Sequence, residues 1–447
     1  MLNLTAHPWA VLGVAAAVYI AACNLLRFRH ERRMLKQFFG AVDVNDAEAR
    51  SKRLLQMTTT EAQQIVCDLQ QFEFPYIYRT ALQIGIFKTY GVPEISRLLV
   101  ATQALTDPSA AAKRYQDTVA MFAEFSINAP TSPRCLAAIA RINFLHSRYV
   151  ASGQIRNQDL LYTLSACVVE PIRFVERLEW RALNDMERCA MGIFWMSLGQ
   201  SMQIDFGELK RQQWTSGLEF VDDITAWARS FESSGAALKP DPINIMPSRR
   251  LISMLLVLVP APFVPFVNQM VAVLMGDRMR EAFSLPEPGI AAYAVTYTSL
   301  IVRRFVMRFL MLPRFQPFRA IDKAPNPETG RLRMHLYLAH PWYMKPTWWN
   351  RWGPEALVVR LLGGHVPGDT RPPPETKTGA RRDKLKEDEI GNRFMEDGFL
   401  IGDVGPINRM GQGLDEVAKE IERLRGARAT GCKRPPSMHL QIALLCW

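Results

Sequence analysis

The sequence lacks the motifs of several large enzyme classes. It has no G-x-G-x-x-G opening a helix after a strand, no Walker-type phosphate loop, no H-E-x-x-H and no G-x-S-x-G. Nucleotide-binding, metalloprotease and hydrolase functions therefore have no support. The seven cysteines are scattered without C-x-x-C spacing, which argues against a disulfide framework and against a zinc ribbon. We expect free thiols in a reducing compartment.

Neither extreme polarity nor a concentrated charge is present. Hydrophobic residues make up 48% and charged residues 22% of the chain, a composition typical of globular proteins and not of disordered ones. Lys and Arg exceed Asp and Glu by 54 to 43, giving a net charge of +11. Because this excess is spread along the chain, it indicates no nucleic-acid partner and favours a membrane surface.

Charge is also absent from the first 26 residues, which contain no Lys, Arg, Asp or Glu. The apolar stretch Pro8–Leu26 is about as long as a helix that crosses a bilayer. Basic residues follow it at once, at Arg27, Arg29, Arg32, Arg33 and Lys36. A cleaved signal peptide would carry its positive charges before the apolar core. Residues 1–36 are therefore predicted to be a single-pass anchor whose basic flank, with the rest of the chain, faces the cytosol.

The remainder of the chain shows helical periodicity and almost no strand or hairpin signals. We predict an all-α fold with one large helical domain at residues 37–368. Capping signals stand at Pro108, at Ser132 and Pro133, and at Asn184 with Glu187. The predicted helices are approximately 108–125, 133–152, 158–179, 185–202, 207–231 and 291–312.

Two further regions leave alternatives open. The apolar run Leu251–Met275 contains three prolines, which favours buried helices flanking a bend over a second transmembrane span. Four tryptophans cluster beside two basic residues, a composition that suits either a lipid headgroup interface or an ordinary packed loop. These residues are Trp342, Lys345, Trp348, Trp349, Arg351 and Trp352.

The C-terminal part changes in composition after residue 368. Residues 369–412 are predicted to be a charged, flexible linker and loop, because they begin with a Pro-, Lys-, Arg- and Glu-rich stretch. Residues 413–447 are predicted to hold a short amphipathic helix, Leu414 to Leu424, and a tail with no interpretable pattern.

Histidine is scarce, and between residues 31 and 334 only His146 occurs. It falls on an apolar helical stripe with Cys135, Ile139, Ile142 and Tyr149, at spacings of three and four. One interpretation is a core histidine satisfied by a hydrogen bond. The other is an axial ligand to haem, which requires a neutral imidazole in an apolar pocket.

Arg114 and Thr118 lie four residues apart on the preceding helix and hence on one face. A guanidinium can pair with a haem propionate or polarise oxygen, and a hydroxyl can donate a hydrogen bond there. The alternative is a surface arginine and a threonine that bonds to its own helical turn.

Several short motifs occur in an order that is similar to the MpaB family of endoplasmic-reticulum oxygenases, relatives of the latex clearing protein (rubber oxygenase). The resemblance runs from about Phe74 to Gly368. The motifs are Tyr90-Gly91-Val92-Pro93, Arg114-x-x-x-Thr118, His146-Ser147-Arg148-Tyr149, Glu170-Pro171-Ile172-Arg173, Glu179-Trp180-Arg181, Trp342-Tyr343 and Trp352-Gly353-Pro354.

This resemblance implies an all-α fold that binds haem b, with His146 as the proximal iron ligand. It also implies that Arg114 and Thr118 lie near the iron as catalytic residues. In the rubber-cleaving branch a lysine that can occupy the distal iron site directly precedes that threonine. Here the residue is Asp117, a third candidate catalytic residue, which cannot replace a lysine at the iron, so the distal ligation is expected to differ.

The implied function is a membrane-anchored, O2-dependent oxygenase of the endoplasmic reticulum. It would cleave a C=C bond in a lipophilic, prenylated or terpenoid-type secondary metabolite such as a meroterpenoid. Arg304 and Arg308, one turn apart, are candidates for haem propionate contacts, or alternatively surface cations facing anionic lipid. Two other functions remain open: a haem enzyme that catalyses hydroxylation or rearrangement, and a membrane scaffold without haem.

Overall fold

The computed structural model describes residues 8–40, 42–43, 46–103, 105–256, 259–336, 341–364, 366–369 and 394–429. Residues 370–393, which belong to the predicted linker, lie outside these described residues. Residues 430–447 of the predicted tail lie outside them too. Four histidines also lie outside them: His7, His340, His365 and His439.

The fold is all-α, as predicted. No strand occurs in the described residues, where only two isolated bridges pair Ile321 with Met334 and Leu332 with Phe399. The α-helices are α1 Pro8–Leu26, α2 Arg29–Phe39, α3 Ala47–Leu55, α4 Thr59–Asp68, α5 Pro75–Thr89, α6 Pro93–Ala101, α7 Pro108–Ile127, α8 Pro133–Ala151, α9 Asn157–Leu178, α10 Asp185–Ser201, α11 Gly217–Ser233, α12 Pro242–Leu255, α13 Val264–Met275, α14 Asp277–Ala282, α15 Ile290–Phe305, α16 Trp348–Trp352, α17 Pro354–Leu361 and α18 Leu414–Ala429. Single π-helical turns lie at Leu69–Glu73 and Val306–Leu310, and short 3-10 turns at Ala261–Phe263, Ile401–Asp403 and Ile407–Arg409.

The N-terminal helix has the length and composition that a membrane span requires. Helical residues Trp9–Phe39 reach a mean hydropathy of 2.0, and only 6% of the most apolar window is buried. The side chains of Trp9, Val14 and Val18 are more than half exposed. By the same criteria Ile290–Leu310 is a second helix of membrane-spanning length among the described residues.

Local capping signals identify two helix starts correctly. At α10 the Asn184 side chain accepts a hydrogen bond from the Glu187 backbone N–H, and the Glu187 carboxylate accepts one from the Asn184 backbone. At α8 the Ser132 hydroxyl accepts from the Cys135 N–H. These reciprocal bonds satisfy donors that the first helical turn leaves unpaired.

Helix α11 begins at Gly217, about ten residues later than predicted. Ahead of it, the Asp223 carboxylate accepts hydrogen bonds from the backbone N–H groups of Lys210 and Arg211 and from the Trp214 indole. Ser216 then caps the helix. A carboxylate that binds backbone donors in this way holds the segment in a loop conformation and competes with helix formation.

The apolar run Leu251–Met275 is broken as its prolines predict. Helix α12 ends at Leu255, a 3-10 turn occupies Ala261–Phe263, and α13 begins at Val264. Burial is incomplete, because Phe263 is 61% exposed while the C-terminal end of α13 is buried. The tryptophan cluster also divides: Trp342 is buried, whereas Trp348, Trp349 and Trp352 are at least half exposed.

The core is closed by aromatic side chains and by one very close helix contact. Tyr78, Tyr162 and Trp195 are almost wholly inaccessible to solvent. Helices α10 and α11 meet at Gly192 and Gly217, where a Cβ at position 192 would lie 2.0 Å from the Gly217 carbonyl oxygen. Only two glycines allow this approach, so any larger residue at either position would force the helices apart.

Residues 394–413 form a segment, here called the C-terminal strap, that packs on α7 and α8. Part of this segment, 394–412, is assigned to the flexible linker by composition. It nevertheless buries Phe394, Phe399 and Val404. The buried Arg141 of α8 holds it by donating to the carbonyls of Val404, Arg409 and Gln412. The predicted amphipathic helix then follows as α18.

Candidate functional site

His146 lies in the C-terminal half of α8, where the buried stripe becomes accessible. Cys135 and Ile139 at the start of the stripe are buried, whereas Ile142 and His146 are half-buried. Burial, with a smaller contribution from the Arg114 charge, lowers the pKa of His146 to about 4. Its ring nitrogens make no hydrogen bond within the described residues. The imidazole is thus neutral at pH 7, with a lone pair available to a ligand.

Arg114 and Thr118 interact as their spacing predicts. An Arg114 Nη1 donates to the Thr118 Oγ1 at 2.8 Å, and the Thr118 hydroxyl donates to the Arg114 carbonyl at 2.9 Å. The threonine therefore bonds to its own turn and also fixes the guanidinium. Since the Arg114 charge acts on the pKa of His146, the structure brings α7 and α8 together at this point.

Two tyrosines at the same place are not identified by sequence reasoning. Burial raises the pKa of Tyr90, although the nearby Arg114 opposes this shift. Burial likewise raises the pKa of Tyr115, whose hydroxyl accepts a hydrogen bond from Gln83 Nε2 at 2.5 Å. The only sequence signal for either was the Tyr90-Gly91-Val92-Pro93 turn.

These side chains form one half-buried cluster. Burial shifts the pKa values of His146, Tyr90 and Tyr115, yet all five side chains retain some accessible surface. Apolar side chains with the same partial exposure occupy the same faces of α5 and α7. They are Leu82, Ile86, Val119 and Phe122. We call the half-buried surface that these side chains form on α5, α7 and α8 the recess.

Asp117 belongs to a different set of contacts. Its carboxylate accepts hydrogen bonds from Lys113 Nζ at 2.8 Å, Tyr343 OH at 2.7 Å and the Gly405 backbone N–H at 3.1 Å. The Lys113 and Asp117 side chains are at most 2% exposed. These contacts tie α7 to the C-terminal strap, and both carboxylate oxygens are already bonded. A catalytic role for Asp117 stays a prediction.

Arg304 and Arg308 are not brought to His146 by any described contact. Arg304 is exposed. An Arg308 Nη1 donates to Asn24 Oδ1 of α1 at 3.1 Å, and the guanidinium lies 5.0 Å from the Phe28 ring centroid. Both arginines thus lie at the membrane-length helices. Their propionate role gains no support, and the surface-cation alternative describes Arg304 better.

The side chains at the recess suit a metal cofactor in which most of the ligands to the metal belong to the cofactor itself. Within the described residues no three His, Cys, Asp or Glu side chains converge to hold a bare metal ion. Haem requires only one axial protein ligand, because its porphyrin supplies the other equatorial donors. The neutral imidazole of His146, which has no hydrogen-bond partner among the described residues, therefore fits haem.

The fold and the site together define an all-α protein with a membrane-length N-terminal helix and a half-buried recess that presents one neutral imidazole. Residues 93–309, which include α7 and α8, match the catalytic domain described as ER-bound oxygenase mpaB/B'/Rubber oxygenase.

Full-length relatives agree with this match. The chain is 34% identical over 420 residues to the ER-bound oxygenase mpaB' of Penicillium brevicompactum, covering 93% of this chain and 92% of the relative. It is 35% identical over 355 residues to the ER-bound oxygenase mpaB of the same organism, covering 78% and 81%. It is also 35% identical over 281 residues to mpaB of Penicillium roqueforti (strain FM164), covering 62% and 91%.

The chain therefore belongs to the mpaB/rubber oxygenase family and is an oxygenase, which makes it an oxidoreductase. The resemblance read from the motifs is confirmed.

Proposed function

We propose that this oxygenase holds haem b with His146 as the proximal iron ligand. Its reaction would be the O2-dependent cleavage of a C=C bond in a lipophilic, prenylated or terpenoid-type secondary metabolite. The observation that carries the proposal is the His146 imidazole, which is unprotonated at neutral pH, unpartnered within the described residues and partly exposed beside Arg114.

When bound, haem supplies an iron centre that can activate O2, the chemistry that ordinary side chains do not provide. The protein's own contribution is positional. Arg114 offers a positive charge to a propionate or to a developing negative charge, and Thr118 holds that guanidinium by accepting one of its hydrogen bonds. Loss of this hydrogen bond would leave the Arg114 guanidinium free to move.

The recess also selects the substrate class. Leu82, Ile86, Val119 and Phe122 present hydrocarbon to it, so an alkene chain gains hydrophobic stabilisation there while water is excluded. Cleavage of one C=C bond into two carbonyl groups incorporates both atoms of O2. The reaction therefore balances without an external reductant.

The test uses the full-length protein in detergent, loaded with haem b, and a prenylated phenol as the probe alkene. We expect a Soret band and, under ¹⁸O2, two carbonyl fragments that each carry one labelled oxygen. A well-folded chain that binds no haem would contradict the cofactor assignment. A coloured protein that hydroxylates the probe without breaking its chain would contradict the cleavage.

For the location we propose the endoplasmic-reticulum membrane, with α1 as the anchor and the helical domain in the cytosol. The relatives are named ER-bound, and basic residues follow α1 directly at Arg27 and Arg29. Positive flanks are retained on the cytosolic side of a membrane.

Protease added to intact microsomes should accordingly digest the domain that follows residue 36. The same microsomes opened with detergent serve as the control for protease activity, and a lumenal marker checks that they were sealed. Protection of the domain in sealed vesicles would reverse the proposed orientation.

Arg114→Ala and Thr118→Ala are expected to reduce turnover much more than stability. Loss of a hydrogen bond to a charged group costs about 1.5–3 kcal/mol. If that loss falls on the transition state, the rate falls by roughly ten- to a hundred-fold. Steady-state turnover per haem measures this effect. Arg97→Ala is the matched control, because its side chain is 59% exposed on α6. Wild-type turnover in both site variants would show that the pair has no part in the reaction.

A further inference from the structure

The second membrane-length helix carries an apolar surface that no described part of the chain covers. Ile290–Leu310, which comprises α15 and the following π-helical turn, has a mean hydropathy of 1.2 with only 11% of its apolar window buried. Ile290 is 88% exposed, Ile301 67% and Phe305 54%. An exposed apolar surface of this length on a folded chain indicates an interaction site.

The opposite face of this helix is firmly packed, which fixes the orientation of the exposed one. Ala292 and Thr296 are buried, and α13 lies against α15. Near its C-terminal end, Arg303 Nη2 donates to the buried Glu179 carboxylate at 2.8 Å. These contacts fix the rotation of α15 about its axis, so that its apolar outer face points away from the rest of the described chain.

Contacts with α1 show which surface this outer face continues. The Tyr19 hydroxyl donates to the Leu310 carbonyl at 3.0 Å, and Arg27 Nη1 donates to the Met307 carbonyl at 3.2 Å. Position 19 thus pairs with 310 and position 27 with 307, so the two segments run antiparallel where they meet. The C-terminal end of the exposed apolar face of α15 is therefore next to the apolar helix α1.

The charges at this junction complement a lipid surface. Arg304 is exposed on α15, and Arg29 is exposed just after α1. Arg308, four residues after Arg304, contacts Asn24 of α1. Exposed arginines beside an apolar face match phosphate headgroups that border acyl chains, and they attract an anionic cytosolic leaflet.

We propose that the outer face of α15 is a second bilayer contact, which lies along the cytosolic leaflet beside the point where α1 leaves it, with its apolar side chains at the acyl-chain boundary and Arg304 at the headgroups. The occupant of this surface is lipid. The proposal rests on the anchor role of α1 and does not depend on haem or on the reaction catalysed.

The test compares a lipid-phase and a water-soluble carbene reagent on the full-length protein in phosphatidylcholine–phosphatidylserine vesicles, with labelled residues located by peptide mass spectrometry. We expect the lipid-phase reagent to label Ile301, Val302 and Phe305 as strongly per residue as α1, and the water-soluble reagent to miss them. Exposed positions of α11, such as Asp222, are the control and should show the reverse.

Four outcomes would overturn the proposal. Labelling of the α15 face by the water-soluble reagent would place it in solvent. Protection from both reagents would show that a second copy of the chain, or another protein, covers it. Failure of the lipid-phase reagent to label either helix would remove the anchor itself, whereas a labelled α1 with an unlabelled α15 would refute the second contact alone.

Discussion

His146→Ala is expected to abolish retention of haem b while the helical circular dichroism is preserved. The proposed haem would lose its axial protein ligand, whereas the fold would lose only a half-buried ring that makes no hydrogen bond within the described residues. Haem content after size-exclusion chromatography, measured against protein concentration, gives the result. His335→Ala is the matched control, because that side chain is 51% exposed and pairs with Asp322 outside the recess. Stoichiometric haem in the alanine variant would show that the ligand lies elsewhere.

The pH dependence of haem binding provides an independent test of His146 as the iron ligand. A proton competes with iron for the imidazole lone pair, so affinity falls only below the pKa of the free histidine. For His146 that pKa is about 4. Haem affinity should therefore stay constant as the pH falls through the value of about 6.5 at which an ordinary histidine becomes protonated. A loss of affinity already near that value would contradict the buried, neutral ring.

Asp117→Asn is expected to lower the free energy of unfolding by about 3–5 kcal/mol, the cost of leaving one partner of a buried ion pair alone. Lys113 would lose the carboxylate that pairs with it in a site where the pair is at most 2% exposed, and Tyr343 and Gly405 would face an amide. The midpoint of denaturant unfolding in detergent measures the loss. Asp222→Asn is the control, since that side chain is 72% exposed.

A double variant separates the structural contribution of Asp117 from a catalytic one. Lys113→Met combined with Asp117→Leu removes both charges at similar volume, and such replacements of buried pairs are often neutral or stabilising. We expect it to recover much of the lost stability. Recovered stability with normal turnover per haem would assign Asp117 to the attachment of the strap. Recovered stability without turnover would support the catalytic prediction instead.

Local signals account for most of what the sequence alone could predict. The Asn184–Glu187 capping box, the Ser132 cap and the prolines after Leu255 act within a few residues of themselves, and each gave the correct element. The apolar stripe through Ile139 likewise placed His146 on an inward helix face. Such features depend on backbone geometry that short sequence windows contain.

What escaped prediction depends on distant partners. The contacts of Asp117 could not be predicted, because its hydrogen-bond partners Tyr343 and Gly405 are 226 and 288 positions away. The contact of Arg308 with Asn24 of α1 likewise joins residues that are 284 positions apart. Composition also gave no indication that residues 394–412 pack on α8, since their attachment runs through backbone carbonyls that Arg141 recognises.

The C-terminal strap fixes the order in which the protein can mature. The Asp117 carboxylate accepts a hydrogen bond from the Gly405 backbone N–H, which is synthesised 288 residues later. At 5–20 residues per second this interval is roughly 15–60 s of translation. By then α1 has long left the ribosome and can already be in the bilayer. With α1 as the proposed anchor, helices α7 and α8 therefore complete their packing on a chain that is already tethered to the membrane. Ribosomes that stop before residue 405 would then leave anchored chains whose Lys113–Asp117 pair is uncovered, a defined target for quality control at the membrane surface.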